Sequence, residues 1–241
     1  MHLKSVRIPN YLYKRRMPSL GCTHILENLK KGPHSICAPT SVGNIILYEA
    51  NKNNRSNLLT GFTYNDLQSL CCQMVGILRQ LMNTDRNGTT IEHVIEGLKK
   101  YIKDRRYKIK FEWIGLFYKG SYKVKDEVHL PSILERAMGT KNAILWTGEY
   151  RFNKRDKIYN RVDGHAATIA GFNLKYNSLL MHDPAISFQK PTFYIISQQK
   201  KTLPTITGLP GEKQFIIGEN NLDKDISTRL VEGALSFEIS R

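Results

Sequence analysis

Acidic residues are the first scarcity in this chain: 21 Asp and Glu stand against 36 Lys and Arg in 241 residues, a formal charge of +15. Such an excess suits an acidic substrate or partner, whether nucleic acid, an anionic membrane face or a cell wall polymer. The basic residues are spread along the chain, with one denser run, KKYIKDRRYKIK at 99–110. That run carries no motif of a nucleic-acid module, so a nucleic acid partner is not favoured. Long apolar runs are missing too. NIILY and AATIAGF are far too short to span a bilayer, and no transmembrane segment is expected. The N-terminus, MHLKSVRIPNYLYKRRMPSL, is basic but has no continuous apolar stretch of the secretory type. The expectation is a soluble chain, cytoplasmic or exported without a cleavable signal peptide. Cysteine is limited to Cys22, Cys37, Cys71 and Cys72, too few and too oddly placed for a disulfide framework. Adjacent Cys71 and Cys72 sit in LQSLCCQMVGILRQLM and read as buried packing residues. No CxxC pair and no HExxH occur, so no metal or other cofactor is called for.

What is present divides into helices followed by strands. Residues 1–30, with prolines at 9 and 18, read as an irregular segment. From Cys37 the apolar positions Val42, Ile45 and Ile46 recur at helical spacing, until the polar NKNNRSN ends the run. A second helix is expected from about TYNDLQSL, where Thr63 and Asp66 form a capping arrangement, to Met82. A third, TTIEHVIEGLKKYIK, takes Thr89 or Thr90 as its cap. Beyond residue 106 the period changes. YKIKFEWIGLFY, NAILWTGEYRF, HAATIAGFN, SLLMHDP, PTFYIIS and KQFIIG read as strands, and LPSILERAMGT as a short helix opened by proline. The order predicts an α+β fold in which a helical lobe precedes a mostly antiparallel β-sheet lobe. Residues 31–199 form the expected main domain and 200–241 a C-terminal extension. Trp113 and Trp146 read as core or cleft-wall residues.

GPHSICAPTSVGNIILYEA, residues 32–50, sets a cysteine at the mouth of the first helix, where serine or aspartate would cap better. A thiol there feels the positive end of the helix dipole, which favours thiolate. The N–H groups of that turn can also receive an oxyanion. In VDGHAATIAGFNLKYNSLLMHDPA, residues 162–185, His165 is expected to begin one strand and Asp183 to end the next. A hairpin turning near residues 173–177 would bring them to one end and let the carboxylate hold the imidazole in one tautomer. His182, next to Asp183, should face the other way as a structural residue.

CAPTS, DGHAATIAGF and HDPA, in that order, together with NGTTIEHVIEGLKKY between them, resemble the papain-like cysteine peptidases of the bacteriocin-leader-processing group and their stand-alone relatives. The likeness covers about residues 30–195. It implies a papain-like fold, with Cys37 as nucleophile, His165 as base and later acid, and Asp183 as the orienting carboxylate. Such enzymes have a glutamine about six residues before the cysteine whose amide completes the oxyanion hole. Here that place holds Lys31. Lys31, Asn28, His34 or a backbone N–H could substitute, or the hole is incomplete. The resemblance therefore implies cleavage of a peptide or amide bond in a peptide or protein substrate through a thioester. The same triad serves deamidation, transpeptidation or peptidoglycan amide cleavage, and a weak or inactive binding module for an acidic partner is the other reading. Oligomeric state is left open.

Overall fold

The computed structural model describes residues 36–63, 67–115, 123–125, 142–173, 178–184, 192–198, 215–218 and 228–241. The chain divides into two compact units. One holds the strands between Phe111 and Met181 and between Phe193 and Ser236. The other holds the helices up to Lys110, together with His182, Asp183 and Phe237–Arg241.

In the helical unit, helix α1 spans Cys37–Lys52, ending in the polar stretch that the sequence assigns to its exit. It is less one-sided than its apolar spacing suggests. Thr40, Ser41 and Asn44 are as fully buried as Val42, Ile45, Ile46 and Leu47, so the helix is enclosed on more than its apolar stripe. Glu49, near its C-terminal end, is also buried, where a carboxylate opposes the helix dipole. Asn53 Nδ2 donates to it at 2.8 Å and the Arg55 guanidinium pairs with it, offsetting that penalty.

Helix α2 spans Leu67–Leu81 and helix α3 spans Ile91–Asp104. Thr90 caps α3, its side chain accepting from the His93 N–H at 3.2 Å. Val94, Ile95, Leu98, Tyr101 and Ile102 form the buried stripe that the 3.6-residue period demands. Gly97 lies within that stripe at the crossing with the end of α2. A Cβ there would sit 2.7 Å from the carbonyl carbon of Leu81 and from Met82 Cγ, so only glycine lets the two backbones approach this closely. A short 3-10 helix, Ser56–Leu59, is fastened to α3 from outside. Tyr101 Oη and Arg105 Nε both donate to the Leu58 carbonyl, at 2.7 and 2.8 Å. The Arg105 guanidinium stacks 3.6 Å from the Tyr101 ring centroid and 5.4 Å from that of Phe62.

The strands are β1 (Lys108–Gly115), β2 (Lys123–Lys125), β3 (Asn142–Asn153), β4 (Ile158–Asn173), β5 (Ser178–His182), β6 (Thr192–Gln198), β7 (Phe215–Gly218) and β8 (Thr228–Ser240). They form one sheet in the order β2-β1-β8-β3-β4-β5-β6-β7, and β7 pairs with β8 again, closing six strands on themselves. β3/β4, β6/β7 and β7/β8 are antiparallel, while β1/β2 is parallel. Among the described residues, three α-helices and a mostly antiparallel sheet make the α+β class that the order of periodicities predicts. Trp113 and Trp146 are core residues in edge-to-face contact, 6.3 Å between centroids at 81°.

Two strands differ from expectation. β4 begins at Ile158, so His165 lies well inside it and not at its start. The residues before His165 belong to the strand, with Val162 a bulge and Gly164 a site of close approach, both described below. Thr228–Ser240, in the stretch read as a C-terminal extension, is a strand taken into the sheet between β1 and β3. Its sequence, TRLVEGALSFEIS, hides this because nearly every position is buried and no alternation survives. Residues 1–30, the short helix expected at LPSILERAMGT and the Asp66 end of the α2 cap lie outside the described residues. Cys71 and Cys72 are buried as expected, at 4% and 7% exposure. Cys72 is nonetheless disulfide-bonded, which corrects its reading as a packing thiol alone. Among the described residues no helix is long and apolar enough to cross a membrane.

Candidate functional site

Cys37 is the first residue of α1, half-buried and not in a disulfide. The residue before it, Ile36, occupies the N-cap with a side chain that has nothing to give the first-turn N–H groups, and that turn contains no acid. The first local backbone bond is Thr40 N–H to the Ile36 carbonyl, at 3.0 Å. A helix started by an aliphatic residue forgoes roughly 1 kcal/mol of capping. In return its dipole end is not neutralised by a local carboxylate.

His165 projects from β4, half-buried, opposite Thr147 of β3. Thr147 is itself buried and its hydroxyl donates to the His165 carbonyl at 3.4 Å. Asp183 follows β5 directly and is 6% exposed; His182, the last residue of β5, is buried at 1%. Cys37 and Asp183 belong to the helical unit and His165 to the β unit. Lys31, Asn28 and His34 lie outside the described residues.

A second polar cluster, which the sequence reading misses, lies on the other face of β4. Glu232 of β8 is buried at 2% exposure. Its Oε1 accepts from Arg161 Nε at 2.7 Å and from Tyr150 Oη at 2.9 Å, and its Oε2 accepts from Arg161 Nη2 at 3.0 Å. Burial opposes the charge on Arg161, but hydrogen bonding to Glu232 and the nearby negative charge outweigh it, raising the guanidinium above its usual pKa. Arg229 and Glu149 form a further ion pair between β8 and β3.

Space for this cluster is made by glycine. Gly148 of β3 and Gly164 of β4 are register partners. A Cβ on Gly148 would lie 2.6 Å from Glu232 Cδ and 2.7 Å from Tyr150 Cε2, and one on Gly164 would strike the Arg161 guanidinium. Arg161 reaches that face because of a bulge. Glu149 pairs with Asp163 but Tyr150 pairs with Arg161, so Val162 is the extra residue and points outward, 44% exposed. The readable signals were a lone acid inside the apolar LVEGALSF and two glycines at matching positions of a hairpin.

No family model matches the chain. No curated protein matches it. Among solved structures it is similar to the crystal structure of the peptidase domain of Streptococcus ComA, a bi-functional ABC transporter involved in a quorum sensing pathway. The match has 15% sequence identity and a TM-score of 0.34, over 85% of this chain and 90% of that one.

Proposed function

We propose that this chain is a papain-like, thiol-dependent hydrolase that cleaves a peptide or amide bond, with Cys37, His165 and Asp183 as its triad. The observation that carries the reading is the start of α1: a thiol outside any disulfide, half-buried, at a helix N-terminus with neither a side-chain cap nor an acid in its first turn. That setting favours thiolate, the form that attacks.

In this mechanism the Cys37 thiolate adds to the carbonyl carbon of the scissile amide. The oxyanion is received by first-turn N–H groups of α1, with Lys31, Asn28 or His34 as the further donor. His165, protonated, gives its proton to the leaving nitrogen as the C–N bond breaks, and a thioester remains on Cys37. Neutral His165 then removes a proton from water, whose oxygen displaces the sulfur and restores thiolate and imidazolium. Asp183 holds the imidazole tautomer throughout. The net reaction is addition of one water across one amide bond, with no redox step. The basic surface, +15 overall, suits an acidic peptide or protein substrate.

The test needs no substrate. Iodoacetamide alkylation of each cysteine is followed by mass spectrometry against pH, in wild type and in His165→Ala, with Cys71 as internal reference. Rapid labelling of Cys37 below pH 7 that is lost or shifted upward in the variant is the expected result. Labelling at the rate of an ordinary thiol, indifferent to His165, refutes the triad.

A further inference from the structure

The Glu232–Arg161 pair sits on the face of β4 opposite His165. A Cβ on Gly164 would meet the Arg161 guanidinium that reaches Glu232, and one on its register partner Gly148 would meet Glu232 itself. His165, one residue on from Gly164, points to the other face by strand alternation. Residues 161 and 164 are three apart, and in a regular strand such positions lie on opposite faces. They share a face here because Val162 is bulged out between them.

This arrangement is a costly way to hold a sheet together. An ion pair that buries its carboxylate, as this one does, is commonly no better for stability than well-packed apolar side chains of the same volume, and the best-attested use of such pairs is to fix register. Two glycines and a bulge are given over to it. Register is what matters on this strand, because a slip by one residue carries every side chain to the other face. The Arg161 fork makes two hydrogen bonds with Glu232, and Tyr150 shares the carboxylate, so this register position satisfies both oxygens of the buried acid together. Above the bulge, Gly148↔Gly164 and Thr147↔His165 then follow as neighbours.

We propose that the Glu232–Arg161 pair is a register lock on β4 that fixes the face from which His165 projects. This rests on the reading of His165 as the base, and it makes Glu232 and Arg161 positioning residues, with Tyr150 as the support of the carboxylate. A catalytic group misplaced by about 1 Å loses on the order of 100-fold in rate, so a lock remote from the thiol is worth its burial.

The test replaces both charges at once. Arg161→Leu/Glu232→Leu leaves an apolar pair in the slot, which a merely stabilising ion pair tolerates without loss. The double variant is expected to melt within about 4 °C of wild type. Its His165 ring resonance, assigned by its disappearance in His165→Ala, is expected to split or broaden in heteronuclear NMR. The His165-dependent acceleration of Cys37 alkylation should fall about tenfold or more. A folded double variant with an unchanged, single His165 resonance overturns the proposal. If the double variant does not fold, Glu232→Gln is judged by the same resonance. It keeps the volume and the acceptor for Tyr150 and Arg161 Nε but loses the charge and the Nη2 contact. Equal Cys37 labelling in wild type and His165→Ala would refute the triad by itself, and the ring resonance would still decide the register lock.

Discussion

Gly148 and Gly164 stand opposite each other on β3 and β4, and the volume that their missing side chains leave is filled by Glu232 and Arg161. The two glycines are not equivalent. Gly148→Ala drives a methyl group into a carboxylate that is 2% exposed and has nowhere to go. It should cost about 3 kcal/mol, near the lower end of what breaking a buried ion pair costs. Gly164→Ala meets the far end of an arginine side chain that is 33% exposed and can swing outward. Its cost should be roughly half as large. Urea denaturation of the two variants checks the order; equal losses would mean that the slot is not shaped as described.

Tyr101 gives the helical unit a sensitivity to alkali. Burial raises its phenol above the ordinary value of 10, outweighing the neighbouring Arg105. The folded state therefore keeps its proton where the unfolded state loses it. Stability is undiminished below about pH 10 and falls above it, by up to about 1.4 kcal/mol per pH unit. Stability measured between pH 8 and 11 should show a steeper decline for wild type than for Tyr101→Phe. The variant starts lower because the Leu58 carbonyl loses one of its two donors.

Arg105→Lys should fail to substitute. Arg105 donates to the carbonyls of Leu58, Tyr101 and Thr60 at 2.8, 3.2 and 3.3 Å while its guanidinium carbon sits 3.6 Å from the Tyr101 ring centroid. A lysine keeps the charge but loses the planar fork and the stacking. The expected loss is about 1–2 kcal/mol, close to that of Arg105→Met. A lysine variant as stable as wild type would reduce this contact to simple charge.

Gly97→Ala would normally strengthen a helix by about 1 kcal/mol. Here the methyl group would lie 2.7 Å from the Leu81 backbone, which is not free to retreat like a side-chain end. Overpacking of this kind costs about 1–3 kcal/mol, so the net effect should be zero or destabilising. Thermal melts decide it, and a gain in stability would show that α2 and α3 can separate.

Asp183→Asn tests the third member of the proposed triad. The buried carboxylate becomes an amide of equal size, which can hold the imidazole in the wrong tautomer. Turnover on any substrate found should fall on the order of 10³-fold or more, with Cys37 alkylation slowed in parallel. Full activity in the variant would remove Asp183 from the mechanism.

Much of the helical unit is legible in the sequence because local signals agree there. Thr90 is a cap at the start of a clean 3.6-residue stripe, and Asn51 to Asn57 is polar enough to end α1. The hydroxyls and amide of Thr40, Ser41 and Asn44 gave no hint of burial, since packing from several sides is not encoded in one helix's periodicity. In the β unit the failures have a common cause. His165 was expected to begin β4, yet the strand starts at Ile158 and runs through a bulge and a close-approach glycine, features that use the same residue types as turns. β8 shows no alternation because both its faces are covered. The candidate cysteine was visible from its place at the head of α1, whereas Glu232, Arg161 and Tyr150 are far apart in the chain and meet only across three strands.

The sequence by itself determined where the three α-helices between Cys37 and Asp104 fall, that strands follow them, and that a thiol begins the first of the three, because each depends on residues within a few positions of one another. The tertiary structure alone decided that Thr228–Ser240 enters the sheet between β1 and β3. It also decided that a bulge at Val162 turns Arg161 toward Glu232, and that His165 lies on the opposite face of that strand. Those outcomes depend on pairing between distant strands, where the energy lies in burial and register and not in the preferences of any one segment.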